Sequence, residues 1–213
     1  VEQPLWERPV LRKAAGRTLR PGGFELTDRA ANRMGLLPGW RVLDVGCGLG
    51  ATVNRLRSRY GALAFGVEPS PGQLDAAQGA GLVRAQGHCL PFGPNSFHAL
   101  FCECVLSLLP DAAQGLGEFH CVLRPGGFLA LSDLCAPDAD TAGNDCAARA
   151  VPLAETHGLV KAAGFEVLLL EDHSHRLREL AARLLFSSGE NDVPCSCNRR
   201  GLGYYLMIAK KRG

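Results

Sequence analysis

The sequence predicts an α/β protein built on a doubly wound parallel sheet with helices on both faces. Three observations carry this. Short apolar runs alternate with helical periodicity from Arg41 to Leu134. A glycine-rich turn inside Val42–Val53 (VLDVGCGLGATV) joins the first apolar run directly to a helix. Strand-like segments recur from Arg41 to Lys210 with no linker that would mark a second domain. The length of 213 residues suits one domain, residues 1–213, with a helical segment over 1–40, a core over 41–134 and a third part over 135–213.

The elements follow in order. LRPGGF occurs at Leu19–Phe24 and again at Leu123–Phe128. After the first copy, Thr27 is expected to N-cap a helix, with Asp28 in its first turn and Ala30, Met34 and Leu37 on one face. Arg41–Val45 reads as strand one and Ala51–Tyr60 as a helix. Ala62–Glu68 reads as strand two. Ser70-Pro71 opens a helix running to about Ala80, because Ser caps well and Pro fits the first helical position. Leu82–Gln86 is strand three and Phe97–Glu103 strand four. Asp111 caps a helix bearing Leu116, Phe119 and Leu123. The second LRPGGF is expected to turn into strand five, Gly127–Leu134. The two copies differ in what surrounds them, so they are one turn chemistry in two places and not a duplication. A helix ends at Gly164, Glu166–Asp172 is strand six, and Ser174–Ser187 is an amphipathic helix with Leu177, Leu180, Ala181, Leu184 and Leu185 in its stripe. Gly203–Lys210 closes the count at seven strands.

Bulk properties exclude several functions. The net charge is +2, with 46% hydrophobic and 21% charged residues. That balance gives no nucleic-acid surface. No run approaches the about 20 apolar residues of a membrane span, and Glu2, Glu7 and Arg8 interrupt any signal-peptide core. Nine cysteines are scattered without a CxxC pair, which reads as reduced thiols in a cytoplasmic protein and no metal site. Cys195 and Cys197 lie in a polar segment, Ser188–Gly201, that reads as a loop. Two such thiols can hold a soft metal or metalloid, but incidental thiols explain them as well.

The chemistry concentrates at the glycine turn. Asp44 ends strand one, and Gly46, Cys47, Gly48 and Gly50 lead into the helix. Glycines let a ligand approach the backbone, and the helix start offers free N–H groups. This is a nucleotide-type site at the carboxyl end of a strand. Gly46, Gly48 and Ala51 also satisfy a dinucleotide pattern, which is weak evidence alone. Glu68, 22 residues after Gly46, can hold ribose hydroxyls of either cofactor. Asp44 suits a cationic amino-acid end better than a pyrophosphate.

At these residues the chain resembles the class I S-adenosylmethionine-dependent methyltransferases, most closely their small-molecule type 11 branch. The resemblance rests on VLDVGCGLG, FGVEPS, LPFGPNSF and VLRPGGFLALSD, in that order. It implies a Rossmann-like, seven-stranded, mostly parallel sheet with the last strand antiparallel, and S-adenosylmethionine as cofactor with S-adenosylhomocysteine as product. By position, Gly46, Gly48 and Gly50 would shape the cofactor turn beside Cys47. Asp44 would lie near the methionine moiety, and Glu68 and Pro69 beside the ribose. Gln86, with Gly87, stands where the family often has Asp at the adenine amine, and its amide oxygen can accept that bond. His98 replaces the Asp usual after SF. The first LRPGGF resembles a family lid turn, with Arg20, Gly22, Gly23, Leu26 and Thr27 matching.

Methyl transfer from a sulfonium needs alignment and exclusion of water more than acid–base help, and no triad or HExxH is present. The acceptor end is expected at strands four and five, with Glu103 on the cofactor side and Cys104, Ser107, Asp133 and Cys135 as substrate candidates. The expected function is methyl transfer to a small molecule by a monomer or homodimer. The alternatives are a nicotinamide-dependent oxidoreductase and a non-catalytic S-adenosylmethionine-binding protein.

Overall fold

The computed structural model describes residues 4–138, 147–187 and 201–213. Its centre is one seven-stranded sheet: β1 (Arg41–Val45), β2 (Leu63–Glu68), β3 (Leu82–Arg84), β4 (Phe97–Glu103), β5 (Leu123–Cys135), β6 (Phe165–Asp172) and β7 (Gly203–Lys211). The spatial order is β3-β2-β1-β4-β5-β7-β6. Strands β1 to β5 pair in parallel, and β7 runs antiparallel to both β5 and β6. The helices are α1 (Pro9–Ala15), α2 (Gly23–Arg33), α3 (Ala51–Tyr60), α4 (Pro71–Ala76), α5 (Ala112–Val122), α6 (Leu153–Ala162) and α7 (Ser174–Ser187).

The period of two along the central strands divides the core. Leu43, Val45, Leu100, Cys102, Leu129 and Leu131 face one layer with Leu116 and Phe119 of α5. Val42, Ala99, Phe101 and Ala130 face the other, with Ala30 of α2 and Val53 of α3. Both faces are covered, which is why β1, β4 and β5 read as continuous apolar runs.

Several boundaries differ from the sequence expectations. Helix α2 begins at Gly23, behind Gly22 at φ 72°, so Thr27 lies inside the helix and caps nothing. Gly22 itself makes the turn that a capping side chain was expected to make. Helix α4 stops at Ala76, four residues short of the expected end, and β3 stops at Arg84. Gln86 instead forms an isolated bridge with Cys89. The second LRPGGF lies within β5: Leu123 faces Phe97 and Phe128 faces Ala99, so Arg124–Gly127 bulge out opposite His98. His98 stacks on Trp40 at 5.4 Å, at the strand ends away from the glycine turn.

The N-terminal segment was not anticipated in detail. A 3₁₀ turn (Leu5–Glu7), α1 and a second 3₁₀ turn (Gly16–Thr18) precede α2. Leu11 and Ala14 of α1 pack on Leu180 and Leu184 of α7. Leu185, placed in the same stripe by periodicity, is 50% exposed. Cys146, Cys195 and Cys197, and the expected loop up to residue 200, lie outside the described residues.

Candidate active site

The carboxyl ends of β1, β2 and β4 meet at the glycine turn. Gly46, Gly48 and Gly50 have φ of 70°, 49° and 72°. The turn is held by N–H groups of Gly46 and Cys47 donating to the Val67 carbonyl at 2.8 and 3.0 Å. A side chain at Gly46 would place Cβ 2.3 Å from Val105 of the loop after β4. At Gly48 the nearest atom would be Leu19 at 3.7 Å. Gly46 therefore admits the neighbouring loop, whereas a side chain at Gly48 would make only an ordinary contact with Leu19. Cys47 packs against Gly66 of β2, and burial pushes its thiol pKa up.

Three carboxylates and a guanidinium surround this turn. Glu68, at the end of β2, is 7% exposed and accepts N–H bonds from Gly48 at 3.0 Å and Ser70 at 2.9 Å. Burial raises its pKa against those two bonds. Asp44 is 3% exposed; burial, then the nearby Glu103, push its pKa well up, while Arg20 works against them. Glu103 takes Arg20 at 2.7 Å, Thr27 at 3.1 Å and Thr52 at 2.9 Å. Arg20 also donates to Thr27, and to Thr52 at 3.1 Å. The Nε of this buried guanidinium has no hydrogen-bond partner.

These groups open into a cavity of about 340 Å³. Asp44, Gly46, Cys47, Gly48, Glu68, Pro69, Gln86, Gly87, Glu103 and Cys104 all line it. Its far wall is apolar, with Trp6 and Leu11 from the N-terminal segment, Leu108 from the loop after β4, and Leu177, Leu180 and Leu184 from α7. Leu19 and Cys104 line it with left-handed backbones, at φ 57° and 59°. Cys104 is held there by its N–H to the Ser132 carbonyl at 2.7 Å and by its sulfur at 3.2 Å from the Tyr204 hydroxyl. The strand ends at Glu103, so Cys104 does not continue the β4 alternation with Cys102.

Other candidates stand off the cavity. Thr27 is fully buried beneath Arg20 and Glu103, where it braces both. Gly23 opens onto a separate depression with Glu25 and Arg176. Gly50 packs on Leu82 and Gln78. Asp133 and Ser107 bind each other: the carboxylate accepts the Ser107 N–H at 2.9 Å and hydroxyl at 3.0 Å, and the Leu134 N–H at 2.8 Å. Burial pushes Asp133 up to about 6 despite those bonds. The pair pins the loop that carries Val105 and Leu108. Cys135 lies against Gly203 of β7. Ser107, Asp133 and Cys135 thus turn into the protein, where they satisfy buried donors or fill a gap.

Sequence reasoning missed Gln73, Thr52, Trp6, Arg17 and Arg149, which also line the cavity. None sits in the quoted motifs except Thr52, whose position one residue into α3 was the available signal. No group of three or more His, Cys, Asp or Glu side chains able to hold a metal occurs among the described residues.

Comparison with known proteins gives this geometry a lineage. Residues 43–131 match a family model described as a methyltransferase domain. Methyltransferase GfsG of Streptomyces halstedii is 30% identical over 91% of this chain and 82% of its own length. O-methyltransferase cnsE of Penicillium expansum is 29% identical over 81% of this chain and 67% of its own. Among solved structures, the [4+2]-cyclase SpnF superposes with a TM-score of 0.80 at 23% identity, covering 96% of this chain and 92% of SpnF. Phosphoethanolamine N-methyltransferase 2 of Haemonchus contortus, in complex with S-adenosyl-L-methionine, superposes at 0.76 with 17% identity, covering 96% of this chain and 56% of that one. Those two likenesses concern the fold. The motifs, the family match and the relative of similar length lead to one conclusion: this chain belongs to the class I S-adenosylmethionine-dependent methyltransferases.

Proposed function

We propose that the protein methylates a small acceptor with an apolar body, and that the cavity lined by Asp44, Gly48, Glu68 and Glu103 takes both cofactor and acceptor. The observation that carries this is the continuity of the cavity. One part is carboxylate-rich and glycine-lined, and it opens directly onto a wall of leucines and Trp6. The residues present suit the cofactor. Gly48 leaves its backbone open to a close approach. Arg20 Nε is a buried donor without an acceptor, and Gln73 Oε1 a buried acceptor without a donor.

When bound, S-adenosylmethionine supplies an electrophilic methyl group on a sulfonium. The protein's own groups then have separable tasks. Glu68 holds the ribose hydroxyls through lone pairs left over from its two backbone bonds. Asp44, a desolvated carboxylate, gains from a neighbouring cation. Arg20, kept in place by Glu103, Thr27 and Thr52, meets the methionine carboxylate. Gln86 accepts from the adenine amine. Leu177, Leu180 and Leu184 exclude water and bind the acceptor by its apolar surface. Apolar contact orients the acceptor, and alignment with the methyl supplies most of the acceleration.

The test is calorimetric titration with S-adenosylmethionine, S-adenosylhomocysteine, NAD and NADP, followed by an acceptor screen with methyl-labelled cofactor. Binding of the first two alone and label transfer to lipophilic acceptors are expected. Transfer confined to strongly polar acceptors would refute the role given to the leucine wall. Binding without transfer to any acceptor would favour the non-catalytic reading.

A further inference from the structure

Arg149 places a charge on the apolar side of the cavity. Among the described residues three cations line that cavity: Arg17, Arg20 and Arg149. Arg20 is paired with Glu103 at 2.7 Å. Arg17 donates to the carbonyl of Leu49, in the glycine turn, at 3.2 Å. Arg149 donates through Nη1 to the carbonyl of Leu108, on the apolar wall, at 3.1 Å. Among the described residues that is its one hydrogen bond, and no ion pair holds it. The lining carboxylates, Asp44, Glu68 and Glu103, all belong to the end at the glycine turn.

The backbone under Arg149 is anchored. Ala147 and Ala150 are fully buried and pack with Leu134, Leu177 and Tyr204. The Ala136 N–H donates to the Val151 carbonyl at 3.1 Å, which ties the segment to the chain leaving β5. Arg149 is the exposed residue among these buried alanines. A guanidinium carries five N–H donors in a planar fork, so most of them remain after the bond to Leu108. In water such a group gains little from a partner. A ligand whose apolar body covers the wall expels that water, and the charge then needs an acceptor that the ligand itself must bring.

We infer that Arg149 is an acceptor-recognition residue and that the acceptor is a lipophilic carboxylate, its apolar body against Leu108, Leu134 and Leu177 and its carboxylate anchored on the Arg149 guanidinium. This rests on the reading of the cavity as shared by the cofactor and an apolar acceptor, and it names the acceptor's class. The planar fork matches the two oxygens of a carboxylate. One cation without an ionic partner on this wall suits one negative charge, whereas a phosphate dianion calls for a second cation. The anchor also gives the acceptor a direction, which apolar contact alone does poorly, and it repels a cationic competitor.

The test uses the whole chain saturated with S-adenosylhomocysteine and three pairs of probes: octanoate with octanamide, cinnamate with cinnamamide, and naphthoate with naphthamide. Each pair keeps the shape and changes the charge. An apolar wall by itself favours the amide, because the carboxylate has more hydration to lose. The expected calorimetric result is that at least one carboxylate binds about tenfold tighter than its amide, the scale of a charged hydrogen bond. Arg149→Met should abolish that preference and leave S-adenosylhomocysteine affinity within about twofold of the parent. Arg149→Lys keeps the charge without the fork and should retain part of the preference. Arg17→Met should retain all of it. A parent in which no carboxylate outbinds its amide overturns the proposal, with no variant needed. A preference that survives Arg149→Met, or that Arg17→Met removes instead, overturns it too. Acids and amides binding alike would leave the shared-cavity reading in place. Probes that all fail to bind beside S-adenosylhomocysteine would remove the acceptor role of the apolar wall, and this proposal with it. A parent that fails to bind S-adenosylhomocysteine removes the cofactor reading, a different failure seen before any probe is added.

Discussion

Gly48→Ala separates folding from ligand approach. The backbone at Gly48 has φ 49°, a conformation that costs an alanine about 1–2 kcal/mol. Its Cβ would meet nothing closer than Leu19 Cδ1 at 3.7 Å, an ordinary contact, so no clash adds to that cost. For a chain of this size the melting temperature should fall by about 2–8 °C. The new methyl would project into the cavity, where the cofactor must approach the backbone. S-adenosylhomocysteine affinity should therefore fall at least tenfold, about 1.4 kcal/mol. Gly46→Ala is the contrasting control, because its Cβ would lie 2.3 Å from Val105 and should destabilise the protein directly. The assay pairs thermal unfolding with calorimetric titration. A folded Gly48→Ala protein that binds S-adenosylhomocysteine within twofold of the parent would refute close approach at Gly48.

Other perturbations address the remaining groups. Glu68→Gln should weaken S-adenosylhomocysteine by about ten- to a hundredfold, the range for a hydrogen bond to a charged group; calorimetry on folded variant showing unchanged affinity would remove its ribose role. Arg20→Met leaves Glu103 buried without its 2.7 Å partner and should cost about 3–5 kcal/mol, read by urea unfolding. A loss under 1 kcal/mol would mean that Thr27 and Thr52 satisfy Glu103 unaided. For Asp133, folding raises the pKa from 3.8 to about 6, so the folded state binds the proton more tightly. Its contribution to stability is full below pH 3.8 and is lost as pH rises to about 6, by about 3 kcal/mol. Asp133→Asn should remove that slope, measured as the difference between parent and variant in unfolding free energy at pH 4 and pH 7. A difference independent of pH would contradict it.

The sheet was legible because β1, β4 and β5 are buried on both faces and so carry unbroken apolar runs. Glu68 was legible because strand ends and helix starts leave local signals. Helix α1 was not: seven residues are too few for a 3.6 period to declare itself. Thr27 was misread because Gly22 made the turn, which let the helix begin five residues earlier. Asp133 and Ser107 resemble site residues in a strand-end position, yet each satisfies the other inside the protein. Gln73 and Trp6 come together only through the fold, 67 residues apart, so no local pattern could pair them.

The place of β7 also bears on how the protein is made. Cys135 of β5 lies opposite Gly203 of β7, and β6 joins the sheet only through β7. On a ribosome, β6 emerges with no partner, and the outer edge of β5 stays open until residues 203–211 follow. Such long-range pairing is slow, and an open apolar edge invites pairing with other chains. The same strand brings Tyr204 to the sulfur of Cys104 at 3.2 Å. A nascent chain that lacks β7 therefore has a glycine turn but an unfinished acceptor wall, and its yield in soluble form should depend on how quickly that strand arrives.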